Sequence, residues 1–398
     1  MSEKVIALSG DYGYINQIST TIKSILYHID NCKIYVVNTD IPQEWFDIVN
    51  QKINSFGSVI IDKKISEESL SKEHVGLDHI KPIAYGKIIL CNLVDDSRVL
   101  YLDSDVIVDN DISELFDLNM DGHPVAAVED LTDIEGHFNT GVVLYDMERI
   151  HKAKDLVKEE LKLGENRNLR NADQDVMNSY FKDDYKRLPL KYNYQIGADI
   201  YSFYGHYWRY FKEIDRVGHP EIIHYLTWDK PWNTVSSSRL RQKWWEYYDL
   251  SFSEAAEHKR QPKTIPSFKT RFFTFTSTDN CGNLPKLIRA LPNCQFNIAS
   301  WTAVSDRVIR LLDYGNVRIY QYIIGQQLEK LTANCDAYLD VNYGEKESQA
   351  ITPFMKRNAP IYSFEEVADD SANYQNYHIF SNNDVSGVVT ELRRLLRN

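Results

Sequence analysis

Two rhythms of apolar and polar residues alternate along this chain. Near-continuous apolar runs, KVIALSG (4–10), KIYVVNT (33–39) and SVIIDK (58–63), predict strands covered on both faces. Between them, INQISTTIKSILYHI (15–29) and EWFDIVNQKIN (44–54) repeat their apolar residues at helical spacing, which predicts amphipathic helices. A longer helix is expected over AYGKIILCNLVDD (84–96), ahead of the apolar run RVLYLDSDVIV (98–108). The runs PVAAVED (124–130) and GVVLYDM (141–147) then lead into a charged helix, HKAKDLVKEELKLG (151–164). This alternation predicts an α/β domain with a mixed sheet and helices on both faces.

The rhythm breaks over residues 253–270, a polar stretch with two prolines and a run of basic residues, which reads as a linker. Beyond it the pattern restarts. Runs at 271–277, 295–300, 317–323, 337–342 and 360–364 alternate with helical segments at 283–291, 304–312, 325–334, 348–358 and 385–398. Such βα alternation predicts a second, smaller Rossmann-like domain with a parallel sheet. The expected division is a first domain at 1–255, a linker at 256–268 and a second domain at 269–398. At 398 residues, two cores are the default. No GxGxxG occurs, so dinucleotide binding finds no support.

Charge narrows the function. A net charge of −12 offers no global field to attract phosphate backbones or anionic membranes, so neither nucleic acid nor stable membrane insertion is expected. The five cysteines lack CxxC spacing, which suits reduced thiols in a cytoplasm. The polar N-terminus and the lack of a long apolar run predict neither a signal peptide nor a membrane span. Aromatic residues crowd into YSFYGHYWRYF (201–211) and WWEYY (244–248), a composition shared by sugar-binding surfaces and ordinary cores.

The stretch RVLYLDSDVIV carries the first chemical signal, because it sets Asp103 and Asp105 at i and i+2 of an extended segment. Their carboxylates point the same way there, suited to gripping one cation. The nearby DND (109–111) reads as a turn.

An ordered series of motifs over roughly residues 4–250 resembles the retaining glycosyltransferases of family 8. SGDYGY supplies Asp11 and Tyr14, at the family's uracil-binding positions, with Ser9 just before them among the expected donor-binding residues. AYGKI supplies Lys87, the basic residue ahead of the metal strand, and YLDSD supplies Asp103, Ser104 and Asp105 of the DxD motif. VEDL provides Asp130, FNTGVVLYD provides Asn139 and Gly141, and NADQDVMN provides Asp173 and Gln174. LKYNYQ, with Tyr192 and Asn193, is similar to the loop that reaches the acceptor, and HYLTWDKPW carries His224 and Lys230. One departure stands in that last motif: the family's glycine is Thr227, whose side chain would crowd the diphosphate or demand another backbone shape.

The resemblance implies a GT-A fold for the N-terminal domain and, for the C-terminal one, an α/β add-on like half of a GT-B transferase. It implies a metal held by Asp103, Asp105 and His224, with imidazole favouring Mn2+ over Mg2+. UDP-galactose or UDP-glucose would be the donor, with Asp130, Asp173 and Gln174 at the transferred sugar and Lys230 at the diphosphate. The two-domain layout resembles transferases that extend glycans on streptococcal serine-rich repeat adhesins. A glycosylated Ser/Thr-rich protein is therefore the expected acceptor, modified in the cytoplasm, and the second domain is expected to bind acceptor or partner. The alternatives are a glycogenin-like or lipopolysaccharide-type hexosyltransferase with another acceptor, or a non-catalytic glycan-binding subunit.

Residue by residue, bland roles compete. His224 lies in an apolar run suited to a core histidine, Asp173 sits where a helix cap is expected, and Asp11 and Tyr14 suit a turn. The joint, ordered occurrence favours the site.

Overall fold

The computed structural model describes residues 4–66, 83, 86–133, 135–152, 173–258, 268–368 and 374–396. The chain divides into two compact units. One comprises Met1–Ala198, Tyr204–Pro231 and Leu240–Lys263, and the other Asp199–Phe203, Trp232–Arg239 and Thr264–Asn398.

The first unit is built on a seven-stranded sheet in the order β3-β2-β1-β4-β7-β6-β8. Its strands are β1 (Lys4–Ser9), β2 (Cys32–Asn38), β3 (Val59–Lys64), β4 (Arg98–Leu102), β6 (Val125–Glu129), β7 (Phe138–Asp146) and β8 (Tyr185–Arg187). β1 runs parallel to both β2 and β4, whereas β7 is antiparallel to β4 and β6. The sheet is mixed, as the alternation predicts. A smaller sheet places β10 (Ile222–Tyr225) between β5 (Val106–Val108) and β9 (Tyr194–Ile196).

The helix Ile15–His28 buries Ile18, Ile22 and Ile25, one turn apart along a single face. Its polar residues also build: Thr21 Oγ1 donates to the Val106 carbonyl at 2.7 Å, and Ser24 Oγ accepts from the Val108 N–H at 3.0 Å. These bonds satisfy backbone groups of the short strand that follows Asp105, and so hold the second aspartate in place.

The second unit holds a fully parallel six-stranded sheet, β13-β12-β11-β14-β15-β16. Its strands are β11 (Thr270–Phe275), β12 (Cys294–Ala299), β13 (Val317–Tyr320), β14 (Ala337–Asp340), β15 (Ile361–Phe364) and β16 (Tyr377–Phe380). This is the strand order of a doubly wound fold.

Several expectations change. The helix over 84–96 is short where described, Gly86–Ile89 followed by a 3-10 turn, Leu90–Asn92. The segment 304–312 makes one α-turn, Asp306–Ile309, before a 3-10 turn. The stretch read as linker begins as a helix, Phe252–Glu257, closed by a capping box between Ser251 and Glu254. Residues 259–267 of that stretch, and most of the helix expected at 151–164, lie outside the described residues. Trp244 and Tyr247 are core residues, 1% and 3% exposed, whereas Tyr204 and Trp208 of the other aromatic cluster face solvent. No helix among the described residues is long and apolar enough to cross a membrane.

Candidate active site

The site begins where β1 and β4 end side by side. Ser9 Oγ lies 2.6 Å from the Tyr101 hydroxyl, which donates to Asp103 Oδ1 at 2.9 Å. Burial, reinforced by the Asp103 charge, lifts the Tyr101 phenol well above its ordinary value, so it stays a donor. Ser104 turns inward and donates to the Ser9 carbonyl at 2.8 Å, tying the two strand ends together. Asp11 precedes the 3-10 turn Tyr12–Tyr14, and Tyr14 is 46% exposed, which leaves its ring face accessible.

Two ammonium groups clasp the acidic residues. Lys87, 4% exposed, bridges Asp103 at 3.0 Å and Asp173 at 2.8 Å. Burial pulls its pKa down, but the two carboxylates win and hold it well above the ordinary lysine value. Lys230 pairs with Asp105 at 2.6 Å and donates to the Tyr225 carbonyl at 2.5 Å. His224, on β10, sets Nε2 3.3 Å from Asp105 Oδ1. For Asp105, burial pushes the carboxyl up, but Lys230 and His224 outweigh it and hold it well below the usual carboxylate range.

A buried network of amides adjoins this cluster. Gln174, at the start of the helix Asp173–Phe181, donates to Asp130 Oδ2 at 3.0 Å, and its oxygen accepts from the Thr140 N–H and from Asn139 Nδ2. Asp173 accepts from Lys87 and from Thr140 Oγ1. The sequence-predicted residues thus fall into three bonded groups, Lys87 with Asp103 and Asp173, Lys230 and His224 with Asp105, and Gln174 with Asp130 and Asn139, and Thr140 joins the first group to the third.

Three predicted residues take other places. Gly141 makes room: a Cβ there would sit 2.7 Å from His224 Nδ1 and 2.8 Å from Nε2. Tyr192 and Asn193, expected to reach the acceptor, are buried at 5% and 0%. The Tyr192 hydroxyl donates to Glu114, and Asn193 lies between Asn139 and His224. Thr227 stands at φ +61°, in the left-handed region that favours glycine, and anchors Oγ1 on the Gly197 carbonyl at 2.7 Å. Tyr101 was missed as a site residue, although its place two residues before Asp103 was a usable signal: on a strand it shares a face with that aspartate.

Asp103, Asp105 and His224 each offer a ligand atom within 4.8 Å of the others. Two carboxylates and one imidazole make a donor set suited to a divalent transition ion such as Mn2+.

Fold and site together define a mixed α/β domain of GT-A type whose central strand ends in a paired-aspartate cluster. The chain belongs to glycosyl transferase family 8, whose model matches residues 5–236, and residues 272–398 match the GftB/GlyA-F C-terminal domain. Among curated relatives, glycosyltransferase GlyF of Streptococcus pneumoniae serotype 4 is 33% identical over 372 residues, covering 91% of each chain. GlyD of the same organism is 31% identical over 407 residues and matches 99% of this chain, which spans 49% of GlyD's length. The crystal structure of pneumococcal GlyE superposes with a TM-score of 0.57 at 29% identity, over 99% of both chains. The galactosyltransferase LgtC, in complex with donor and acceptor sugar analogues, has a TM-score of 0.50 at 21% identity over 61% of this chain and 94% of its own, a likeness of fold.

Proposed function

We propose that the protein is a retaining, metal-dependent hexosyltransferase that moves galactose or glucose from a UDP-sugar onto a glycan of a Ser/Thr-rich protein. The observation that carries this reading is the Asp103, Asp105 and His224 cluster flanked by two ammonium groups. Cleaving a sugar from UDP leaves a diphosphate whose growing charge must be neutralised in place. A bound divalent ion supplies Lewis-acid stabilisation of that leaving group. Lys230, 2.6 Å from Asp105, gives a second positive charge beside the cluster. Lys87 holds Asp103 and Asp173 in fixed relation, so the ligand carboxylate and the sugar-binding residues move as one piece.

Retention needs either a covalent intermediate or attack from the face the diphosphate leaves. Gln174 is the residue that the family resemblance matches to a nucleophile, but its oxygen already accepts from the Asn139 amide and the Thr140 N–H. An amide oxygen held by two donors is a poor nucleophile, which favours same-face transfer with the departing phosphate taking the acceptor proton.

The test is UDP release in Mn2+ across a panel of UDP-sugars, with and without a glycosylated Ser/Thr-rich peptide, for wild type and the double variant Asp103→Asn/Asp105→Asn. Acceptor-stimulated turnover of one donor, lost in the variant and in EDTA, is the expected result. No turnover of any UDP-sugar would rule the reading out.

A further inference from the structure

Asn193 lies just after the 3-10 turn Leu190–Tyr192 and just before β9, whose Gln195 pairs with His224 in the parallel ladder. From that position its side chain reaches the His224 imidazole. It is fully buried, so each of its polar atoms needs a partner of the right sign.

Those signs can be worked out from an unambiguous end. The Gly141 N–H can only donate, and it donates to Asn139 Oδ1 at 3.0 Å. Asn139 Nδ2 then faces Asp130 Oδ2 at 3.2 Å and Gln174 Oε1 at 3.3 Å, both acceptors, which agrees. With Asn139 Oδ1 fixed as an acceptor, the Asn193 atom 2.8 Å from it must be Nδ2. Asn193 Oδ1 is left facing His224 Nδ1 at 3.0 Å, and an amide oxygen only accepts. His224 must therefore carry a proton on Nδ1, and Nε2 is the nitrogen turned to Asp105.

We infer that Asn193 is a positioning residue for the metal ligand. It fixes His224 as the Nδ1–H donor, commits Nε2 to the ion, and takes its own orientation from Asn139 beside Asp130 and Gln174. The polarity of one hydrogen-bond chain thus joins the residues assigned to the transferred sugar with the imidazole assigned to the metal. Outer partners of this kind set ring orientation and ligand basicity. Without Asn193 the imidazole keeps its place, because the cradle at Gly141 still fits the ring, but its tautomer is no longer imposed.

The inference rests on the metal reading of Asp103, Asp105 and His224, and the experiment separates the two. Mn2+ binding to the full chain would be followed by electron paramagnetic resonance for wild type, Asn193→Leu and Asn193→Asp, with folding checked by circular dichroism. The leucine variant should weaken Mn2+ binding about 10- to 100-fold. The aspartate variant still offers an acceptor to Nδ1–H but sets its other oxygen against Asn139 Oδ1, so it should recover part of that loss. If wild type binds Mn2+ and both variants bind it equally well, or both lose it equally, Asn193 is only a buried polar residue and the inference falls. If wild type binds no Mn2+, the metal reading falls first. Long-range 1H–15N correlation of 15N-histidine-labelled wild type keeps the inference testable even if Asn193→Leu does not fold. His224 with a protonated Nδ1 agrees with it, and a bare Nδ1 overturns it.

Discussion

Both sheets contain the same four-strand arrangement, β3-β2-β1-β4 in the first unit and β13-β12-β11-β14 in the second. In each, the chain reverses its direction of winding beside the first strand, which opens a crevice at the carboxyl ends where ligands of such folds bind. The two crevices differ in what lines them. In the first unit Asp103 and Asp105 leave 28% and 22% of their side chains exposed and stand beside an imidazole. In the second, Asp340 ends β14 fully buried, accepting from Lys346 and from the Tyr377 hydroxyl, each at 2.5 Å. The loops above it close on each other: a Cβ at Gly282 would lie 2.7 Å from the Tyr343 ring, and Thr276 Oγ1 reaches Asn342 Oδ1 at 3.3 Å. Topology supplies the crevice, and the loops decide whether it stays open for chemistry.

The sharpest way to break this comparison is to remove one carboxylate charge from each crevice. Asp105→Asn should lower UDP release by a factor on the order of 10^3 and also lower the melting temperature, because Lys230 and His224 lose the charge they face. Asp340→Asn should leave turnover near wild type while costing about 3 kcal/mol of stability, because it removes the buried charge that faces Lys346. Turnover assays with calorimetry check both, and a catalytic loss in Asp340→Asn would refute the division of roles. Adding one methyl group makes the same contrast more gently. Gly141→Ala displaces the His224 ring and should weaken Mn2+ binding roughly tenfold or more. Gly282→Ala, at φ +48°, should cost roughly 1–2 kcal/mol of stability and leave Mn2+ binding unchanged.

The last expected effect concerns acid. His28 in the first unit hydrogen-bonds the Tyr247 hydroxyl at 2.7 Å, and burial pulls its pKa down to about 4 from 6.5. The unfolded chain takes up that proton first, so stability falls as pH drops below about 6.5 and the loss is complete near 4. Urea unfolding of His28→Gln should lose about 2 kcal/mol less than wild type across that window. Parallel pH profiles for the two proteins would assign the acid sensitivity elsewhere.

Long elements and acidic motifs were legible because each is local. The helix Ile15–His28 and the strands β1 and β11 announce themselves by period and apolar content. The strands β8 and β9, three residues each, are too short to show a period, and β10 lies inside an apolar run whose four residues read equally as core around His224. The strand β16 was missed for a related reason, since its burial is only partial and gives no alternation to read. At the site, a motif names the residue but not its partner. Asn193 belongs to the loop expected at the acceptor, yet its contacts are Asn139, 54 positions away, and His224, 31 positions away. Gly141 comes from the same motif as Asn139, and that motif gives no sign that packing sets it against an imidazole on another sheet.

Thr227 separates what a motif spells from what it requires. Among the described residues outside glycine that adopt a positive φ, it alone is β-branched, the type for which that conformation is most costly. The turn ahead of Lys230 is left-handed although the residue that would make it cheap is absent. A search pattern that insists on glycine there would discard this chain at a place where its backbone takes the conformation glycine favours. A pattern written in dihedral angles would keep it, with a hydroxyl anchored on a neighbouring carbonyl where glycine would offer conformational freedom.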